Sequence, residues 1–424
     1  MKKTDYPELD ETLYTRVLEN GLTVAVVPRK GFTKKLAYFV TDYGSIHTEF
    51  VLDGKVHKAP AGVAHYLEHK MFDLPGKRDV SAEFAAMGAM TNAFTSYDMT
   101  AYYFSTTENF DPCLRLLLEF VSTPYFTQES VEKERGIIAQ EIGMNLDSPD
   151  SVVFDSLMES LYHCHPIRVP ILGTSETIRE ITPEVLYACH RAFYTPDNML
   201  LCVVGDVDPE NVVAIAREVL GTQHREPGIK VKDWPEPMTR GIPETAANME
   251  VSMPMFNLAF KCEPVDRGAA GIRTEMVADL AAEALFGESS ELYLKLYEEG
   301  LIDSSFGGGF ETIDGCAMLM CSGDSDDAHA VRDAVLAQGR KIAREGIPAK
   351  RFLRMKRSAL GRRIRSLHSF DATCFRICAY HFSDFDYFRF PEVYRSIEAT
   401  EIQGFLNRVV TEERCSLSII HPLD

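Results

Sequence analysis

The sequence predicts an α+β fold of two homologous domains, each a mostly antiparallel β-sheet covered by α-helices. Three observations predict it. Strand-like and helix-like segments follow a similar order in the two halves of the chain. The stretch "REPGIKVKDWPEPMTRGIPE" at 225–244 carries four prolines and no regular apolar period, so it divides the chain near its middle. The chain has 424 residues, 45% of them hydrophobic, which is enough for two buried cores when a domain usually holds about 100–200 residues. The expected boundaries are a first domain over 1–222, a linker over 223–247 and a second domain over 248–424.

Each element has its own signal. The first half opens with "GLTVAVVP" and "LAYFVTDYGS", which read as strands. Helical periods follow, then strand-like "MTNAFTSYDMTAYYFS", more helices, and "NMLLCVVGDV" as a closing strand. The second half repeats the scheme. "NMEVSMPMFNLAFKC" reads as strand and about 273–286 as helix. "SSFGGGFE" and "CAMLMCSGD" are strand-like, helices follow, and "RCSLSIIHP" is the last strand.

Bulk properties exclude some function classes. Lysine and arginine number 44 and aspartate and glutamate 63, a formal charge of −19, so a phosphate backbone is a poor partner and no nucleic acid is expected. No apolar run nears the ~18–20 residues that span a bilayer, and the two lysines near the start precede no apolar stretch. The ten cysteines are scattered without a CxxC pair; Cys374 and Cys378 are four apart but lack nearby metal-type partners. Reduced, buried cysteines in a cytoplasmic protein are therefore expected.

The informative segment is "GVAHYLEHKMF" at 62–72. It lacks proline and has helical spacing. At about 100° per residue, His65 and His69 stand about 40° apart on one helix face, with Glu68 on the adjacent edge. Two imidazoles one turn apart can share a metal ion, and H-x-x-E-H is the inverted form of the zinc-peptidase motif. Zinc needs a third ligand and an open position. "EKERGIIAQEIGMNLDSPD" predicts a helix over about 130–146 that carries Glu134 and Glu141 on one face. One can reach the metal while the other supports the site from behind, and spacing does not rank them.

These segments, with "LENGLTVAVVP", "NAFTSYDMTAYYF", "HPIRVPILGTSETI" and "FYTPDNMLLCVVGDVDP" in the same order, resemble the insulinase/pitrilysin zinc metallopeptidases (inverzincins) and their YmfH-like bacterial members. The resemblance covers nearly the whole chain. It implies His65, His69 and Glu141 as ligands of one Zn2+ ion, Glu68 as general base, and Glu134 as a supporting glutamate. The spacing from His69 to Glu141 is slightly shorter than is usual in the family, as a loop deletion would make it. The resemblance also implies an edge strand, beginning at Asn92, that binds substrate as an added strand through Asn92, Ala93, Phe94 and Thr95. The alternation of 92–104 is that of an edge strand.

The implied function is a zinc-dependent endopeptidase for short or unfolded peptides, with precursor-peptide processing among its roles. Two-domain members of the family usually pair around a chamber. Active relatives often carry an arginine and a tyrosine in the second domain that bind the substrate backbone and support the oxyanion. Here Glu291 stands where the arginine is expected and Asp303 near the tyrosine position. Two acids would repel a developing oxyanion. A paralogous subunit that supplies the pair is therefore expected, in a heterodimer or else a homodimer. The alternative is a catalytically weak zinc-binding scaffold subunit. The segment 350–366 predicts a strongly basic helix, either a solvated face or a wall that attracts acidic peptides or docks the partner.

Overall fold

The computed structural model describes residues 1–76, 78–222 and 229–423. The first sheet contains β1 (Lys2–Tyr6), β2 (Glu11–Val17), β3 (Thr23–Pro28), β4 (Lys35–Thr41), β5 (Met90–Thr95), β6 (Thr100–Thr106) and β7 (Met199–Gly205). Their spatial order is β1-β2-β3-β7-β4-β6-β5, and only the pair β3/β7 is parallel. The second sheet contains β8 (Glu244–Met249), β9 (Met255–Cys262), β10 (Gly307–Ile313), β11 (Cys316–Asp324) and β12 (Cys415–Pro422). Its order is β8-β12-β9-β11-β10, and only β8/β12 is parallel. With the β1-β2 hairpin set aside, both sheets run first, last, second, fourth, third strand, with the parallel pair in the same place. That common order is the trace of a duplication.

The helices that matter for the site and the core are α1 (Val63–Lys70), α2 (Gln128–Leu146), α3 (Pro149–Leu161), α4 (Gly268–Phe286), α5 (Ala328–Glu345), α6 (Ala349–Ser366) and α7 (Phe370–Phe382). The strand alternation assigns each face of the first sheet to a different cover. Val24, Val26, Phe39, Leu201 and Val203 pack with Leu67 of α1 and with Leu114 and Leu117 of the helix Phe110–Ser122. Ala25, Val27, Tyr38, Val40 and Cys202 lie in one core with Cys374, Ile377 and Cys378 of α7, a helix from the second half. The second sheet receives the converse. Leu157, Met158 and Leu161 of α3, from the first half, pack on Ala259, Cys316 and Met318. Each half thus places one helix on the other's sheet. This explains why β7, "MLLCVVG", is apolar along its whole length rather than alternating: both its faces are buried.

The segment 92–104, expected as one edge strand, is a hairpin. Ser96 turns the chain: its N–H donates to the Met99 carbonyl at 2.8 Å, and its hydroxyl donates to Asp98 Oδ1 at 2.9 Å. These turn bonds override the alternating pattern. β5 alone is the sheet edge, and β6 lies between β5 and β4.

The linker expected over 223–247 falls partly on 223–228, outside the described residues. Within the rest, Lys230–Val231 pairs with the strand Glu49–Leu52. Glu236 is buried. Its carboxylate accepts the N–H groups of His163 (2.9 Å), Cys164 (2.5 Å) and His165 (2.6 Å) and meets Lys261 Nζ on β9 at 2.5 Å.

All ten cysteines are free thiols, and nine are buried. Among the described residues no helix is long and apolar enough to cross a membrane. Several cations of α6 hold it in place. Arg351 donates to the Ala284 carbonyl, Arg362 pairs with Glu283 at 2.7 Å, and Arg363 pairs with Asp279 at 2.7 Å. Lys350, Arg354, Arg357 and Arg365 form no ion pair among the described residues.

Candidate active site

The site is built where α1 meets α2. Gly62, at the start of α1, has φ 91°, and a Cβ there would lie 2.4 Å from the Leu172 carbonyl oxygen. Only glycine allows the helix to begin against that backbone. Beyond its first turn α1 is tied to α2. The Tyr66 hydroxyl donates to the Val131 carbonyl. Lys70, 1% exposed, pairs with Asp73 and reaches the Ser130 carbonyl at 3.4 Å. α2 is itself anchored. A capping box joins Thr127 and Ser130, and Arg135 donates to the carbonyls of Ile178 and Ile181.

This packing brings His65, His69 and Glu141 together. His65 Nε2 lies 3.7 Å from Glu141 Oε1, and His69 Nε2 lies 3.8 Å from Glu141 Oε2. One donor atom from each residue falls within 4.8 Å of the others, and no other cluster of three or more His, Cys, Asp or Glu among the described residues is placed to hold a metal. The donor set suits zinc: two imidazole nitrogens and one carboxylate. Zinc with bonds of about 2.0–2.1 Å would hold tetrahedral donors ~3.4 Å apart, so the three donors, within 4.8 Å of one another, would draw together on binding it.

The two glutamates of α2 have different contacts. Glu134 Oε1 lies 2.9 Å from His69 Nδ1. A proton on Nδ1, given to Glu134, leaves the Nε2 lone pair facing Glu141. Periodicity leaves this choice open because both glutamates share a face; the ring nitrogen that each approaches separates them.

The electrostatics favour a cation between these groups. Burial, and then the neighbouring His69, pull His65 down to about 3, so near pH 7 it is neutral, with one ring nitrogen carrying a free lone pair. Burial also pulls on His69, but the Glu134 bond and the charges of Glu68, Glu134 and Glu141 outweigh it and raise its pKa. Burial pushes Glu134 up, but the His69 bond together with the charges of His69, Lys70 and Lys133 outweighs it and lowers the carboxyl. Glu68, 7% exposed, is raised by burial against the opposing pull of Thr95 and His69.

Glu68 stands beside the three converging groups. Its Oε2 accepts from Thr95 Oγ1 at 2.6 Å. The four β5 residues named above divide by face. Asn92 is exposed, and its Oδ1 accepts the Ala93 N–H at 2.9 Å. Ala93 packs on the α1 side of the sheet. Phe94 turns the other way, against Tyr38, Tyr103 and Phe375 of α7. Thr95 reaches Glu68. In the second half, Glu291 pairs with Lys341 of α5 at 2.7 Å, and Asp303 accepts the Ser305 N–H at 2.7 Å. The Thr95–Glu68 contact and the Gly62 clamp were not anticipated; a glycine directly before an apolar helix was the one available signal.

A duplicated α+β scaffold with H-x-x-E-H on one helix and a facing carboxylate on another is the arrangement of the inverted-motif zinc peptidases. The chain belongs to the insulinase family, peptidase family M16. Residues 54–175 match the family described as Insulinase (Peptidase family M16), and residues 180–359 match Peptidase M16 inactive domain. The chain is 37% identical to the uncharacterized zinc protease YmfH of Bacillus subtilis (strain 168), over 100% of this chain and 99% of that protein. An uncharacterized zinc protease of Rickettsia felis is 27% identical over 66% of each chain. Among solved structures, an M16-like peptidase from Alicyclobacillus acidocaldarius superposes with a TM-score of 0.94 at 31% identity, over 99% of this chain and 100% of that one. A protease from Helicobacter pylori shares the fold with a TM-score of 0.83 at 20% identity, over 97% and 99% of the two chains.

Proposed function

We propose that this chain is a zinc-dependent endopeptidase for short or unfolded peptides, with one zinc ion held by His65, His69 and Glu141, and that it works with a paralogous subunit. The observation that carries the reading is the convergence of those three donors beside a buried glutamate, Glu68. Zinc, when bound, lowers the pKa of water and polarises a carbonyl. The chain's own groups do the rest. Glu68 takes a proton from the attacking water and returns one to the leaving amine. Glu134 orients the His69 ring. The open edge of β5 offers backbone groups to an extended peptide, which a folded protein does not present.

The case for a partner rests on exposure and charge. The side chains of Glu141 and His69 are 39% and 27% exposed, so one side of the centre faces solvent. Glu291 and Asp303 are acids with no means of stabilising an oxyanion. A second subunit would both close the site and supply a cation.

Glu134→Ala is expected to weaken zinc binding about 10–100-fold while the fold is kept, since it removes the group that fixes the His69 ring. Competition against a chelator of known affinity reads this directly. The function itself is tested with a peptide library followed by mass spectrometry, with and without chelator and with and without the paralogue. The expected result is one zinc per chain and chelator-sensitive cutting that rises when the paralogue is added. Stoichiometric zinc with no cutting in any mixture would make the chain a scaffold subunit instead.

A further inference from the structure

We propose that Thr95 is a positioning residue for Glu68, and that through it the strand offered to the peptide also sets the orientation of the base. The role given to Glu68 rests on the peptidase reading above; the contact itself does not.

Four observations carry the proposal. The Thr95 hydroxyl donates to Glu68 Oε2 at 2.6 Å, a short bond of the kind made to a charged acceptor. This is the only hydrogen bond that the Glu68 carboxylate makes among the described residues, and the residue is 7% exposed. A glutamate has three side-chain torsions, so in a buried setting one bond decides which oxygen is held and which is left to exchange a proton. Here Oε2 is held and Oε1 is free.

Thr95 is itself fixed. It is β-branched and stiff, and it closes β5 opposite Thr100, whose hydroxyl donates to the Tyr43 carbonyl at 2.8 Å and lies 3.4 Å from the Thr95 hydroxyl. One residue earlier, Phe94 points to the opposite face and packs on Tyr38, Tyr103 and Phe375. The exchanged helix α7 therefore pins the strand from one side while the strand delivers Thr95 to Glu68 on the other. A peptide added along β5 would be placed in register with the same residue that orients the base.

The test compares Thr95→Val, which keeps the shape and deletes the hydroxyl, with Thr95→Ser, which keeps the hydroxyl. Thr95→Ala serves as a second deletion should valine fail to fold. Zinc content, kcat and KM on a cleaved peptide, and crystal structures of each variant are measured. The expected result is a fall in kcat of roughly 10–100-fold in the deletion variant, with KM within about twofold, zinc retained and near wild-type turnover in Thr95→Ser. In the crystal the Glu68 carboxylate leaves its position in the deletion variant and keeps it in Thr95→Ser. A raised KM with kcat unchanged would make Thr95 a substrate contact and overturn the proposal. So would equal loss in both variants, or a Glu68 that stays in place without the hydroxyl. If the wild-type chain cuts no peptide either alone or with the paralogue, the peptidase reading fails, and the position of Glu68 in the crystals alone decides the role of Thr95.

Discussion

Glu68→Gln is expected to lower peptide turnover by about 10²–10⁴-fold while zinc stays bound. Glutamine has nearly the same volume, so α1 keeps its packing, and its amide oxygen still accepts from Thr95. What it loses is basicity: an amide cannot take a proton from water and pass it on. Glu68 is not one of the three converging donors, so metal content stays at the wild-type value. The two readings are taken on the same sample, zinc by elemental analysis and cleavage by mass spectrometry. Turnover at the wild-type rate would remove Glu68 from its role. Loss of zinc together with turnover would move it into the metal's own ligand set.

The second large effect is on stability. Glu236→Gln is expected to destabilise the fold by about 3–5 kcal/mol, because it leaves the Lys261 ammonium, 0% exposed on β9, without a counter-charge. The double variant Glu236→Gln with Lys261→Met is expected to regain most of the loss, since it removes the stranded charge. Denaturant midpoints of the single and double variants check both statements.

The pair also gives the sign of a pH dependence. Burial alone would raise the Glu236 carboxyl. The Lys261 ammonium and the N–H groups of His163, Cys164 and His165 outweigh it and hold the group at about 2, against a usual value of 4.5. A carboxyl depressed on folding stabilises the native state fully above its unfolded value and loses that contribution as pH falls through its folded value. The stability difference between wild type and the double variant is therefore expected to be level between about pH 5 and neutral pH and to shrink from pH 5 toward pH 2.

What was legible in the sequence follows from the range of the interactions. The H-x-x-E-H spacing lies within a single helical turn and a half, so helix geometry alone places His65 and His69 on one face. The seven-residue step from Glu134 to Glu141 gives a shared face but no ranking, because ranking depends on which imidazole nitrogen each meets across a helix–helix contact. The strands were legible as alternation, yet the turn at Ser96 was not, since its cause is a set of hydroxyl and backbone bonds that residue type alone does not announce. Glu236 sat in a proline-rich stretch that reads as solvent-exposed; its burial depends on Lys261, twenty-five residues away in a strand interior. The Thr95–Glu68 bond likewise joins groups twenty-seven residues apart. The helix exchange left no local mark at all. The period of α3 and α7 shows which side is apolar, not which sheet lies beneath it.

That exchange constrains the history of the gene. A repeat whose copies had stayed self-contained could be reshuffled, with one copy dropped, tripled or traded between relatives. Here, cutting between the copies would strip a layer from both, baring Tyr38 and Cys202 on one fragment and Ala259 and Met318 on the other. Recombination can pass this chain on only as a whole, so new specificities must be reached by substitution rather than by trading halves.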